Sequence, residues 1–140
     1  QLHLAEQYQL PVVVHHRRSH GIILSILKKL KLSKAGVIHA FSGSYQEAMA
    51  YIDLGFKLGI GGTISYPRAN KTINAIARLP LSSLVIETDA PAMPLYEQQG
   101  EPNSPLQLVK VFNCLSAIRS ESPEIIAQAL ENNVRAVFSL

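Results

Sequence analysis

The run LVIETDAP, Leu84–Pro91, decides how this chain is read. Its first four residues, Leu84–Glu87, read as a strand, and the apolar run Leu84–Ile86 suits one covered on both faces. Two carboxylates then arrive almost together, Glu87 and Asp89, and Pro91 pins the chain behind them. A strand that ends by presenting acids is aiming them at something, and the remaining strands show where.

Working outward, three more apolar runs have strand length: PVVVH (11–15), AGVIHAF (35–41) and KLGIGG (57–62). Helix-period residues separate them. Ile22, Ile23, Ile26, Leu27 and Leu30 follow the first run, and Ile73, Ile76 and Ala77 follow the third. After the second, Ser44 with Glu47 three positions on is a capping box, and Gly55 stops the helix. Beyond LVIE (84–87), Ser104-Pro105 and Ser122-Pro123 each open a helix. The first carries Leu108, Val109, Phe112 and Leu115, and the second Ile125, Ile126 and Leu130. This alternation predicts an α/β fold, a parallel sheet covered by helices. It provides four βα units, where a closed (β/α)8 barrel takes eight and about 250 residues. The reading is therefore a small open sheet or half a barrel. The opening QLHLAEQYQL, without an initiator Met, reads as the end of an amphipathic helix, so a fragment of a longer protein is expected.

In a barrel, all C-terminal strand ends reach one rim, and that rim carries the chemistry. Three strands here finish in a metal-capable side chain: His15, His39 and Asp89. They recur after about one and then two βα repeats. A lone histidine beside an apolar strand is usually structural, but two at matched ends with an aspartate at a third favour ligation. The remaining strand finishes in GIGG, where backbone is able to approach another group closely. Glu87 either lies on the other face of its strand from Asp89 or holds a ligand from behind. Of the adjacent pair His15 and His16, one faces inward. His16 and His20 are expected at the rim or surface, with His20 the better substrate contact. Arg17, Arg18, Arg68 and Lys71 lie just beyond strand ends, where cations hold phosphates. Arg17, two residues after His15, is the foremost of them, with Arg68 also retained as a candidate.

Other chemistries fail on spacing. AFSGS around Ser42 lacks the leading glycine of a nucleophile elbow. GIGGT has neither a following lysine nor a full glycine fingerprint for phosphate binding. Cys114 is alone, which excludes an internal disulfide and a cysteine zinc cluster and suits a reducing cytoplasm. It sits in an apolar-periodic run and reads as an inert, packed thiol. No apolar run has membrane-spanning length. The net charge of +3 attracts anions mildly but falls short of a dedicated nucleic-acid arm.

PVVVHHR, GVIHAFSGS, LGIGGTISY, LVIETDAP and PNSP occur in the order found in the TatD family of metal-dependent hydrolases. Nearly the whole chain resembles the last half of such a protein, nearest the YjjV-like branch. The resemblance implies a (β/α)8 barrel akin to the amidohydrolases, with residues 1–140 as a partial barrel domain supplying about the last four βα units. It also implies one or two divalent ions (zinc, manganese or magnesium) at the rim. Matched by motif, His15 and His39 become metal ligands and Asp89 a ligand and proton acceptor. Glu87 and Asn103 match recurrent positions, read as support behind the ligands and as a substrate contact. The implied activity is hydrolysis of DNA or a small phosphoester by metal-activated water in the cytoplasm. The family's early His-x-His motif and bridging glutamate do not occur here, so half of the metal site is expected outside these residues. A hydrolase of small esters or amides, and an inert or self-pairing half-barrel, are the rival expectations.

Overall fold

The computed structural model describes every residue, 1–140. Strands and helices alternate as α1 (Leu2–Tyr8), β1 (Val12–His15), α2 (His20–Leu30), β2 (Gly36–His39), α3 (Tyr45–Ile52), β3 (Phe56–Ile60), α4 (Asn70–Ile76), β4 (Leu84–Ile86), α5 (Leu108–Ile118) and α6 (Pro123–Phe138). The strands form one sheet in the order β1-β2-β3-β4, and every neighbouring pair is parallel. Each crossover therefore returns the chain to the next position along the sheet.

Register decides which side chains meet. His15 pairs level with His39, Ile38 with Leu58, and Leu58 with Leu84. Because successive side chains alternate between faces, residues level with one another share a face. Ile38, Leu58 and Leu84 are fully buried in a core with Tyr51, Ile76, Leu115 and Ile126. His39 and Gly59 fall on the opposite face, and so does Glu87 beyond β4. Val13 and His15 are exposed at the β1 margin of that same face.

Local chemistry explains the boundaries. At α3 the Ser44 hydroxyl accepts the Glu47 N–H at 3.2 Å while the Glu47 carboxylate accepts the Ser44 N–H at 2.7 Å, completing the expected capping box. The helix expected from Ser104-Pro105 begins as one 3-10 turn, Pro105–Gln107, because Ser104 Oγ accepts from Leu106 N–H before α5 takes over. Arg119, almost without exposure, donates to the carbonyls of Ile76 and Leu79 at 2.7 and 2.6 Å and so satisfies the end of α4. Asn133 of α6 is buried and donates to the carbonyls of Leu81 and Leu84, fixing the entry to β4.

Both margins of the sheet are apolar. A hollow of about 440 Å³ beside β1 is lined by Val12, Val13, Val14, Ile23 and Ile26. Another of about 430 Å³ beside β4 is lined by Ile86, Leu108, Phe112, Leu130 and Val134. No helix is long and apolar enough to cross a membrane.

Replacing Ser44 with Ala removes one half of the capping box. Chemical denaturation of the two proteins is expected to show a loss of about 1 kcal/mol with an unchanged denaturant slope.

Candidate metal centre

The C-terminal ends of the strands bring His15, His39 and Asp89 around a cavity of about 310 Å³, which Arg17, Arg18 and Met93 also line. The level register of β1 and β2 places the His15 and His39 rings 4.2 Å apart, centroid to centroid. From the other side, Asp89 Oδ1 lies 3.3 Å from His39 Nε2. The sequence-derived trio is thus brought to one place by three separate strands. No three His, Cys, Asp or Glu side chains close around a single point as a finished cage. The rim holds neighbouring donors, of which His39 and Asp89 are the best converged.

What orients His39 is Glu87. Its Oε1 accepts from His39 Nδ1 at 2.8 Å and from the Ala40 N–H at 3.0 Å. To get there from β4 the side chain lies across β3, over Gly59. A Cβ at position 59 would stand 2.1 Å from Glu87 Oε2. The glycines of GIGG therefore admit a carboxylate side chain, which answers what the backbone there approaches. Burial pushes the Glu87 carboxyl above its ordinary range; the His39 ring and the Ala40 N–H oppose this, and Asp89 adds to it. Glu87 and Asp89 serve the same imidazole from opposite nitrogens.

This arrangement tests whether the residues fit a cation. With its Nδ1 side turned to Glu87, His39 presents Nε2 to Asp89 Oδ1. The two atoms are 3.3 Å apart, close enough for a proton or a cation to lie between them. The spacing also equals that of two ligand atoms on a tetrahedral ion with bonds of about 2.0–2.1 Å, which is about 3.3 Å. Imidazole and carboxylate donors, with a carboxylate behind the ring, form a donor set suited to a divalent metal.

Asp89 itself sits in a left-handed conformation, φ 55°, and its loop is held from a distance. Asn103, buried, donates through Nδ2 to the carbonyls of Thr88, Ala92 and Met93, at 2.7, 2.9 and 3.1 Å. Its Oδ1 accepts the Ser104 N–H. Three carbonyls flanking Asp89 thus converge on one amide. The polar atoms of Asn103 are taken up by the loop, so its geometry is that of a clamp rather than of a contact open to solvent.

His16 lines the rim cavity as expected, but not as an exposed residue. It is buried, 7% exposed, stacked on His20 with ring centroids 4.2 Å apart, and its Nε2 donates to the Ala40 carbonyl. Alternation does turn it away from His15, but Phe41 and α2 cover that side. Burial is the main reason its ring is held below the usual imidazole range. His20 lies in this second layer: Nε2 donates to the Ser42 carbonyl at 2.9 Å, and Nδ1 accepts the Tyr51 hydroxyl at 3.0 Å. Both ring nitrogens are occupied within the protein. Arg17 and Arg18 both have positive φ, 27° and 61°, in the turn after β1. Arg68 is separate from the trio, with its guanidinium 5.2 Å from the Tyr66 ring centroid. Sequence reasoning did not reach the Gly59–Glu87 crossing or the clamp role of Asn103. The run GIGG was the one visible signal for the first.

A parallel α/β sheet with imidazoles and carboxylates gathered at its C-terminal rim defines the class of protein. The family model described as TatD related DNase matches residues 1–139. The chain belongs to the TatD family, in its YjjV-like branch. It is 51% identical over 140 residues to the Escherichia coli K12 protein described as uncharacterized metal-dependent hydrolase YjjV, covering 100% of this chain and 54% of that one. The crystal structure of E. coli YjjV superposes with a TM-score of 0.97, 51% identity, 99% of this chain and 54% of that chain. A Rahnella protein described as 3′-5′ ssDNA/RNA exonuclease TatD is 32% identical over 146 residues, covering 100% of this chain and 56% of that one. The chain spans about half the length of the curated relatives it matches.

Two outcomes follow from this geometry. Gly59→Ala forces Glu87 off His39, and is expected to cost about 1–3 kcal/mol through the unpaired ring and Ala40 N–H. In a Glu87→Ala background the same change should cost far less, and a double-mutant cycle in denaturant measures the difference. The second concerns Tyr51, whose phenol is pushed up to about 12, chiefly by burial and further by Glu47. The unfolded chain ionises it near 10, so stability is complete below about pH 10 and falls as pH rises from there to about 12. Absorbance at 295 nm should show one late-titrating tyrosine, missing in Tyr51→Phe.

Proposed function

We propose that this chain supplies the last four βα units of a (β/α)8 barrel, and that the complete protein is a divalent-metal-dependent phosphodiesterase of the deoxyribonuclease type. The observation that carries the reading is the opposition of His39 Nε2 and Asp89 Oδ1 at 3.3 Å, with Glu87 behind the ring. The sequential parallel strand order and the two apolar margins support the barrel, since further strands would cover both edges. The nuclease description of the Rahnella relative supports nucleic acid as the substrate. A reducing, cytoplasmic setting suits the lone Cys114.

His15, His39 and Asp89 would hold the ion, whether zinc, manganese or magnesium. When bound, a divalent ion supplies Lewis-acid stabilisation of phosphoryl charge and makes water more acidic. The residues of this chain provide the rest. Glu87 keeps the His39 ring turned with Nε2 toward the cavity. Asp89 orients the attacking water and accepts its proton as the new P–O bond forms. Arg17 and Arg18, on the turn that lines the same cavity, balance the negative charge that grows on the phosphoryl oxygens while the ester P–O bond breaks. The asparagine clamp at position 103 maintains the backbone from which Asp89 acts.

The test is metal content and release of acid-soluble nucleotide from DNA, measured for the 140-residue chain and for a form extended by upstream strands. The extended form is expected to bind metal and cut, and the short chain to do neither. Asp89→Asn in the extended form should lower cutting about a hundredfold or more. Full activity of the short chain would show that no further strands are needed. Turnover of small carboxylic esters without any of DNA would overturn the phosphodiesterase assignment.

A further inference from the structure

Next to the rim cavity lies a second one of about 460 Å³ that the chemistry above does not use. It is bounded by the loops after β2, β3 and β4, and it shares Ser42 and Met93 with the cavity of the acid–imidazole trio. The two spaces are therefore contiguous at the rim. Tyr66, Arg68, Met93 and Pro94 contribute a phenol ring, a guanidinium, a thioether and a pyrrolidine to its lining. These are flat or polarizable surfaces, set among the hydroxyls of Ser42, Thr63 and Thr72.

The pocket is held in shape. Tyr66 is fixed at both ends: its hydroxyl donates to the Pro94 carbonyl at 2.7 Å, and the Tyr96 ring packs edge-on at 5.7 Å. Arg68 lies over the Tyr66 ring and carries no salt bridge to an acid, so its charge is uncompensated there. Gly62 lets the loop after β4 approach; a Cβ there would meet the Met93 carbonyl at 3.1 Å. Thr72, buried in the same lining, accepts the Gly43 N–H, which leaves its hydroxyl hydrogen free to donate. One face of the cavity thus suits a planar π system and the edges offer hydrogen bonds.

We propose that this cavity is a nucleobase subsite, taking the base of the nucleotide next to the phosphodiester held at His39, Asp89 and Arg17. The inference rests on the phosphodiesterase reading and deepens it. A planar base with polar edges fits a pocket of aromatic, arginine and thioether surfaces, where stacking and cation–π attraction are insensitive to sequence. A volume of this order accommodates a nucleoside-sized group. The base enters only if it leaves its neighbours in the strand, so the pocket favours an unpaired end over the interior of a duplex.

The test uses the complete, metal-loaded protein with a dinucleoside monophosphate and with the same compound lacking one base. Stacking of one base corresponds to a preference in kcat/KM of about tenfold or more for the intact compound. Arg68→Ala and Tyr66→Ala should each reduce that preference severalfold while leaving turnover of the abasic compound as in the unaltered enzyme. Tyr66→Phe, which keeps the ring, should retain it. No preference in the unaltered enzyme, or equal losses on both compounds, overturns the subsite. If neither compound is cut, the phosphodiesterase reading fails separately. Equilibrium dialysis with thymidine then decides the subsite: weaker binding by Arg68→Ala supports it, and equal or absent binding overturns it.

Discussion

Glu87 crosses an entire strand to reach the His39 ring, and the crossing is open because position 59 has no Cβ. Much of the rim depends on that contact. It fixes which imidazole nitrogen carries hydrogen, and so which one faces Asp89. It also satisfies the Ala40 N–H, which has no strand partner where β2 ends. A carboxylate in this position is costly to desolvate, and the site offsets the cost with two hydrogen bonds from groups that need an acceptor. The parallel register makes this geometry available: with Ile38 level with Leu58 and Gly59 level with Val85, the next residues outward, His39, Gly59 and Glu87, share one face.

The rim has two electrostatic halves. Glu87 and Asp89 bracket His39, while Arg17 and Arg18 stand on the turn after β1 with both residues at positive φ. Such conformations are uncommon outside glycine and persist where surrounding structure holds them. The outcome is a small polar cavity lined by one acid, Asp89, and by both arginines. The neighbouring cavity, with its phenol and thioether walls, differs enough that the two suit different parts of one ligand.

The order of elements along the chain and the grouping of the trio at strand ends could be read from the sequence, because both rest on short-range patterns. Apolar runs of strand length, the Ser44–Glu47 cap and the Pro-led helix starts are local signals, and each element formed close to where its residues placed it. His15, His39 and Asp89 were visible because strand ends in such folds converge. What escaped was non-local. The run GIGG signals a close approach at Gly59, but nothing near it in the chain says that the approaching group is Glu87, just beyond β4. The burial of His16 at the rim was not legible because alternation gives direction without saying what covers that direction, and Phe41 does. The resemblance makes Asn103 a substrate contact, whereas its amide is taken up by three carbonyls that lie far from it in the chain.

That last residue has a consequence for how the site is held. Without Asn103, the carbonyls of Thr88, Ala92 and Met93 lack their shared donor, and the loop bearing Asp89 has no anchor for its left-handed turn. The placement of Asp89 therefore depends on a residue well beyond it in the chain, and the loop and the stretch carrying Asn103 hold their shape only together.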